Sequence, residues 1–544
     1  MFNAHVGTPR KSRPILTAAA VTASVLVANL LLCGADRGGN GAGVITGPYA
    51  RLLAQATDLG PARSGKVKLT AALNQFDEPL ALRAWANASD LAVHWDPGDN
   101  WAVLEGSPSA VSTALGVTVH DYRVNGGLDT GRVFYGSPQQ PDVPRAVRSE
   151  VAGLGRVLGY LPSRESFPSP PPRDVPDGGL LPHQLLTAYN AMSLAEAGYT
   201  GKGVTVVVFG FDGFDQEDMD SYAEWFDVSP FSPKVVGGMP EQRSGEATMD
   251  LQVIHAVAPD ATLVLVNARP TVEEGGGFDR VGQLMESVDR EFPGAIWSLS
   301  IGWGCDRMFT AADLAPVRTA LSRAQENGTT AFIATGDLAG LECKGGQSWS
   351  DPPSPDDVGV DAVASIPEIT SVGGTRLATN ADGEWVAEQS WYNVPLTQGS
   401  AGGASTIYRR PAWQAIAEDA GPADSRLVPD VSAVADPSTG VKFVFNQQVL
   451  VGGGTSQAAP IWAGFAALIN QQFREKGHAP LGDINPDLYG IAAGSLTPSF
   501  RDIRLGGNAV TPGGRPGYDM VTGLGSPIVD NLLKNIVLSR AAGR

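Results

Sequence analysis

The run GVTVVVF at residues 203–209 constrains the fold of this chain more than any other feature. It has no polar alternation and is rich in β-branched residues, so the strand it forms must be buried on both faces. Similar apolar runs recur at residues 261–266, 295–301, 330–334 and 442–445, with helical patterns between them at 246–256, 314–327 and 457–473. A strand covered on both faces needs helices on both sides of its sheet. The alternation over residues 180–544 therefore predicts an α/β domain built on a doubly wound parallel sheet. In that architecture reactive groups belong at the carboxyl ends of the strands.

The first third of the chain reads differently. Residues 48–161 hold short apolar segments, such as Ala92-Val93-His94-Trp95 and Trp101-Ala102-Val103-Leu104, and a helical stretch at 107–115. This predicts a small α+β domain at 41–161. The following PSRESFPSPPPRDVPDGG, residues 162–179, has prolines and no apolar period, as an extended and exposed linker open to proteolytic nicking does. At the start, Arg10, Lys11 and Arg13 precede an apolar run at 15–33 and then Gly-rich sequence. Residues 1–40 thus have the make-up of an export segment, either a cleaved signal or a retained membrane anchor. The expected location is extracellular or cell-surface.

The formal charge of -18 argues against nucleic acid or an anionic membrane surface as a general partner. Such a surface loses its self-repulsion as pH falls, which suits mildly acidic surroundings. Of three cysteines, Cys33 lies in the export segment, leaving Cys305 and Cys343. In an oxidising compartment one disulfide between them is expected, with two buried thiols as the alternative.

Three segments carry chemistry. In GGGTSQAAP, residues 452–460, glycines allow close backbone approach and Ser456 opens an apolar helix. There its hydroxyl lies near unpaired N–H groups and the positive dipole end, which favours a nucleophilic serine; a plain helix cap is the other reading. A serine nucleophile needs a base. None of the six histidines, His5, His94, His120, His183, His255 and His478, stands in the glycine-flanked setting of a catalytic imidazole, and His255 sits on an apolar helix as a core residue would.

Glu246 and Asp250 offer a substitute. They lie four residues apart on a helix that also carries Leu251, Val253, Ile254 and Ala256. On one face they repel unless they share a proton, and sharing leaves one carboxylate able to act as base. A solvated acidic face is the alternative. The third segment, Ala331-Phe-Ile-Ala-Thr-Gly-Asp337, ends a core strand in an acid that, when protonated, can donate to an oxyanion; a loop-capping Asp is the alternative.

Taken together, Glu246-x-x-x-Asp250 followed by Ala258-Pro259, then Thr335-Gly336-Asp337 and Gly454-Thr455-Ser456-x-x-x-Pro460, resemble the sedolisin family. These are serine-carboxyl peptidases of subtilisin-like fold. SVGGT at 371–375, VPDVS at 428–432 and TGLGS at 522–526 support the likeness, which covers nearly everything after Leu180. Residues 48–161 resemble the family's ferredoxin-like activation propeptide.

The resemblance implies a secreted endopeptidase made as a zymogen and active at acid pH. Ser456 attacks the peptide carbonyl, Glu246 takes its proton, Asp250 supports Glu246, and Asp337 in its acid form completes the oxyanion site. Ser300, Ile301 and Gly302 look like the segment that pairs with substrate, although an aromatic residue is usual where Ile301 stands. Asp502 and Asp519, with the carbonyls of Ile503, Arg515 and Gly517, resemble a Ca2+ site of hard oxygen ligands. A Gly is usual at the position of Arg515, and a cation beside the ion is unfavourable. Protein or peptide substrates and the chain's own propeptide are the expected partners of a monomer. A catalytically silent surface protein that binds peptide or envelope ligands is the competing class.

Overall fold

Two sheets, of four and eight strands, carry the fold in the computed structural model, which describes residues 43–63, 65–126, 129–162, 164–165, 178–273, 275–344, 352–394, 397–511 and 513–542. Residues 1–40, expected to be an export segment, and most of the Pro-rich stretch at 162–179 lie outside these residues.

The N-terminal part runs β1 Val67–Leu73, α1 Leu80–Ala88, β2 Leu91–His94, β3 Trp101–Gly106, α2 Pro108–Leu115 and β4 Val151–Leu154. The strands are ordered β2-β3-β1-β4 and all pairs are antiparallel. That is the ferredoxin-like split βαβ arrangement. Ser107 caps α2 by accepting from the Ala110 N–H, and Gly116 ends it in the left-handed region. The apolar cluster of this part includes Leu69, Leu82, Leu104, Val111 and Val151.

The second part is built on β5 Thr205–Gly210, β6 Lys234–Val236, β7 Thr262–Asn267, β8 Ile296–Leu299, β9 Thr330–Ala334, β10 Thr370–Thr379, β11 Trp385–Ser390 and β12 Val431–Val434. Their order is β6-β7-β5-β8-β9-β10-β11, with β12 also on β10; only β11 is antiparallel. Successive residues of the apolar strands serve opposite faces. Val206 and Val208 join one cluster with the helices α3 Glu246–Val257 and α6 Thr455–Glu475. Val207 and Phe209 join the other, where α4 Phe278–Glu291 and α5 Ala315–Glu326 pack. Each such side chain contributes about 1.5–3 kcal/mol on burial, which is why these runs admit no polar alternation.

The 442–445 run departs from the expected sheet. Lys442–Phe445 pairs antiparallel with Gln448–Val451 in a separate hairpin, while β10 and β12, richer in Gly, Ser and Thr, take sheet positions. Hairpin pairing needs only a tight turn, and Asn446 and Gln447 supply it with positive φ. Cys305 and Cys343 are joined by a disulfide. Among the described residues no helix is long and apolar enough to cross a membrane.

The two parts belong to one compact unit, residues 41–544. Arg51 pairs with the buried Asp357, Arg323 reaches Asp99 at 2.9 Å, and the Arg156 N–H donates to Asp313 at 2.8 Å. Beyond the N-terminal part, Arg164–Glu165 forms a short antiparallel strand against Ile301–Gly302.

Candidate active site

The site lies at the carboxyl ends of the central strands, where α3, α6 and the loops after β8 and β9 converge. Gly245, at φ 96°, turns the chain into α3, and a side chain there would press on the Phe445 ring at 3.2 Å. Every residue of α3 is buried, so Glu246 and Asp250 do not form a solvated face. They share one side of the helix a turn apart. Burial, then the neighbouring Asp250 and Asp212, pushes the Glu246 carboxyl well above its ordinary pKa. Burial likewise pushes Asp250 well up, opposed by the Ser300 hydroxyl. Two such acids hold at least one proton between them far above the usual carboxylate range.

Gly454 begins α6 at φ 84°, and no side chain caps the helix. Ser456 is therefore not the capping residue. Its hydroxyl is buried and bends the Glu246 equilibrium toward the ionised form, as a hydrogen-bond donor does. Neither Ser456 Oγ nor Glu246 Oε1 has a well-aligned partner, so the contact is loose at rest, as catalytic hydrogen bonds commonly are before substrate arrives.

Asp337 follows β9 through Thr335 and Gly336. Its Oδ1 accepts from the Thr455 N–H at 2.8 Å and the Thr455 hydroxyl at 2.9 Å. A side chain on Gly454 would lie 2.7 Å from Asp337 Oδ2, so only glycine permits this approach. Burial raises the Asp337 pKa to about 6, against the opposing Thr455 hydrogen bonds.

His255, on the same helix as the two acids, stacks on Phe231 with ring centroids 3.8 Å apart, and its Nε2 reaches the Ser229 carbonyl at 2.7 Å. It is a core residue, as its sequence context implied. The structure thus brings Glu246, Asp250, Asp337 and Ser456 together without an imidazole. The Ser300 hydroxyl donates to the Ser456 carbonyl at 3.0 Å, and the backbone of Ile301 and Gly302 is the edge to which Arg164–Glu165 is paired. The sequence reading missed the side-chain part of Ser300 and missed Asp212. Asp212 stands just beyond the carboxyl end of β5, the same signal that singled out Asp337.

Of the residues matched to a calcium site, Asp502 and Gly517 are in contact. Asp502 Oδ1 is buried without a partner, while its Oδ2 accepts from the Gly517 N–H at 3.1 Å and from Arg504 Nε at 2.7 Å. Asp519 is buried and accepts from the Val521 and Thr522 N–H groups at 2.8 and 2.9 Å. Arg515 Nη1 donates to the Asp419 carbonyl at 3.0 Å, which engages the cation elsewhere. The orphaned Oδ1 of Asp502 is the kind of oxygen a hard cation takes. Among the described residues, the cluster Cys305, Asp306 and Cys343 has liganding atoms within 4.8 Å of one another, but its sulfurs are spent on the disulfide.

A profile of the Subtilase family matches residues 235–481. Kumamolisin from Bacillus sp. (strain MN-32) is 29% identical over 514 residues, 86% of this chain and 84% of that protein. Sedolisin from Pseudomonas sp. (strain 101) is 25% identical over 510 residues, 87% and 82% of the two chains. Human (Homo sapiens) tripeptidyl-peptidase 1 is 27% identical over 459 residues, 78% and 76%. The structure of Pseudomonas sedolisin, a serine-carboxyl proteinase complexed with two molecules of pseudo-iodotyrostatin, superposes with a TM-score of 0.56 at 23% identity, over 68% of this chain and 99% of that one. It has the same subtilisin-like fold.

Proposed function

Because the chain belongs to the sedolisin family of serine-carboxyl peptidases, we propose that it is an acid-active endopeptidase with Ser456 as nucleophile. The observation that carries this reading is a buried serine hydroxyl set at a helix start against two buried acids, with no histidine among them. Ser456 Oγ attacks the scissile carbonyl carbon as its proton passes to the Glu246 carboxylate. Asp250, holding the shared proton, orients Glu246 and spreads its charge. Asp337, as its acid form, donates to the developing oxyanion together with a backbone N–H. Glu246 then returns the proton to the leaving amine, and water attacks the acyl-enzyme by the same route in reverse.

Acid activity follows from these groups. Two of them work only while protonated, so activity falls as pH rises past their raised pKa values.

The N-terminal part acts as a propeptide, and the pairing of Arg164–Glu165, in the linker that follows it, with the Ile301–Gly302 edge supports this, because the edge is where an extended substrate would add a strand. Cleavage within residues 162–179 releases it. The protein is exported, acts as a monomer on extracellular or cell-surface protein and peptide substrates, and does not bind nucleic acid. The carboxylates of Asp502 and Asp519 and the carbonyls of Ile503, Arg515 and Gly517 would hold Ca2+, which would offset the charge of the two acids.

The test is covalent labelling of the acid-activated chain with a serine-directed acylating reagent. Mass spectrometry should place the label on Ser456, with hydrolysis lost in step. A silent peptide-binding protein predicts neither. Peptide hydrolysis that persists in Ser456→Ala would remove the assignment.

A further inference from the structure

Asp212 is a third buried carboxyl group beside Glu246 and Asp250, and the mechanism so far gives it no part. It is 1% exposed and lies just beyond β5, on a different element from either acid. Four donors converge on it. Its Oδ2 accepts from the Ser244 N–H at 3.1 Å, the Ser244 hydroxyl at 2.6 Å and the Glu246 N–H at 3.2 Å, and its Oδ1 accepts from the Ala247 N–H at 3.0 Å. All four contacts donate and none accepts, so the pocket favours the ionised form, although burial outweighs these donors and holds the Asp212 carboxyl above its ordinary range.

We propose that Asp212 is a positioning residue for the peptidase reaction, an anion that fixes the backbone of Glu246 and keeps the shared proton on the Glu246–Asp250 pair. The inference rests on the reading of Glu246 as the base. Two parts of the geometry support it. The bond to the Glu246 N–H fixes the root of the side chain that must meet Ser456 Oγ, where a displacement of about 1 Å costs about a hundredfold in rate. And the charge of Asp212, while it is ionised, disfavours ionisation of the two neighbouring acids, an effect felt by both.

The other charged groups around Asp212 do not cancel it by direct pairing. From the loop before α3, Arg243 Nη1 donates to the Gln242 carbonyl at 3.0 Å and its Nε reaches Asp215 at 3.3 Å. From the segment after β7, Arg269 Nε donates to the Phe211 carbonyl at 2.8 Å. Across the cleft, Asp337 adds a further acid that raises Glu246.

The experiment compares kcat and KM against pH for wild type, Asp212→Asn, Ser244→Ala and Glu246→Gln, with thermal unfolding of each. Asp212→Asn removes the charge at nearly constant shape. Its pH optimum should move to lower pH by about one unit, with kcat down at least tenfold and KM little changed. Ser244→Ala keeps the charge and loses one anchor, so kcat should fall several-fold at an unmoved optimum. A fall in kcat for folded Asp212→Asn at an unmoved optimum reduces Asp212 to a helix cap and overturns the proposal, as does full activity. Should Asp212→Asn not fold, Ser244→Ala decides, and an unchanged kcat there overturns it. Activity retained in Glu246→Gln would instead sink the base assignment itself.

Discussion

Thr455 and Asp337, 118 residues apart in the chain, are joined by two hydrogen bonds to one oxygen, since the Thr455 N–H and hydroxyl both donate to Asp337 Oδ1. That oxygen has no capacity left for a proton facing the cleft. The acid's proton is thereby assigned to Oδ2, the oxygen that lies against Gly454. The same pair ties the loop after β9 to the first turn of α6 and so links Asp337 to the segment that carries Ser456. The Gly336 N–H, donating to the Thr455 hydroxyl at 3.0 Å, closes the link from the other side.

Asp337→Asn is expected to keep this scaffold, because the amide oxygen can accept both Thr455 donors. As a neutral donor it should retain part of the oxyanion stabilisation, with kcat lowered by about 10- to 100-fold. The pH dependence separates the roles. Asp337 titrates at about 6, so its acid form is present below that pH and lost above it. If Asp337 sets the upper limb of activity, the asparagine variant should lose that limb. An unchanged limb in a kcat/KM–pH profile would give it to another group.

Ser456→Ala and Glu246→Ala should each abolish peptide hydrolysis, by at least about 10³-fold, because nucleophile and base act as a unit. The double variant should be no worse than either single one. The check is kcat/KM on one peptide at the acid optimum, with unfolding curves to show that the buried cluster still folds. Full activity in either single variant would contradict the mechanism.

How much of this was legible in the sequence differs between elements. The runs at 203–209 and 330–334 declared their strands because burial on both faces leaves only apolar side chains. β10 and β12 were recognised as motifs but not as strands, since Ser371, Gly373, Gly374 and Ser432 break the apolar run. In β10 the polar groups are satisfied locally, as Ser371 bonds Asp430 and the Gly374 N–H donates to Ser400, whereas the buried Ser432 hydroxyl of β12 has no partner. Glu246 and Asp250 could be found because their spacing on an apolar helix is costly without a function. Asp212 could not be tied to them, because no short-range pattern reveals which helix a strand-end acid will meet.

Removing calcium should lower stability if Asp502 and Asp519 hold it. A ligand present at 100 times its Kd stabilises by roughly 2.7 kcal/mol. The unfolding temperature of the Ser456→Ala protein should therefore rise with added Ca2+ and fall with chelator, while that of Ser456→Ala/Asp502→Asn should respond little. Equal responses of the two proteins would place any bound calcium elsewhere.

Arg51→Ala should speed release of the N-terminal part. The guanidinium reaches Asp357 and the Cys343 carbonyl. Burial tends to raise the Asp357 carboxyl, but the Ser354 N–H and Arg51 outweigh it and hold the group below its ordinary range. The pair therefore persists into acid, whereas Asp99, raised by burial despite Arg323, gives up its charge sooner. Losing a charge-assisted contact of this kind costs about 1–3 kcal/mol. Mass spectrometry of acidified precursor should show a new N-terminus within residues 162–179, appearing faster in the variant. Equal rates would mean that this contact does not limit maturation.

His255 sets a limit on acid stability that is separate from catalysis. Its ring is 1% exposed, stacked on Phe231, and Nδ1 has no partner, so a second ring proton would enter a site with no acceptor. Burial, partly offset by the Ser229 carbonyl, depresses its pKa from 6.5 to about 4. The sign follows from which state binds the proton first. Above 6.5 neither state is protonated and the stability is whole. As pH falls from 6.5 toward 4 the unfolded chain takes up a proton that the folded one refuses, so stability is lost over that window, by up to about 3 kcal/mol. Below 4 both states are protonated and the loss levels off. His255→Phe, compared in a Ser456→Ala background to prevent self-digestion, should give up the Ser229 hydrogen bond at pH 7 yet lose less stability between 6.5 and 4. Parallel stability–pH curves for the two proteins would show that this histidine is not what the fold pays for working in acid.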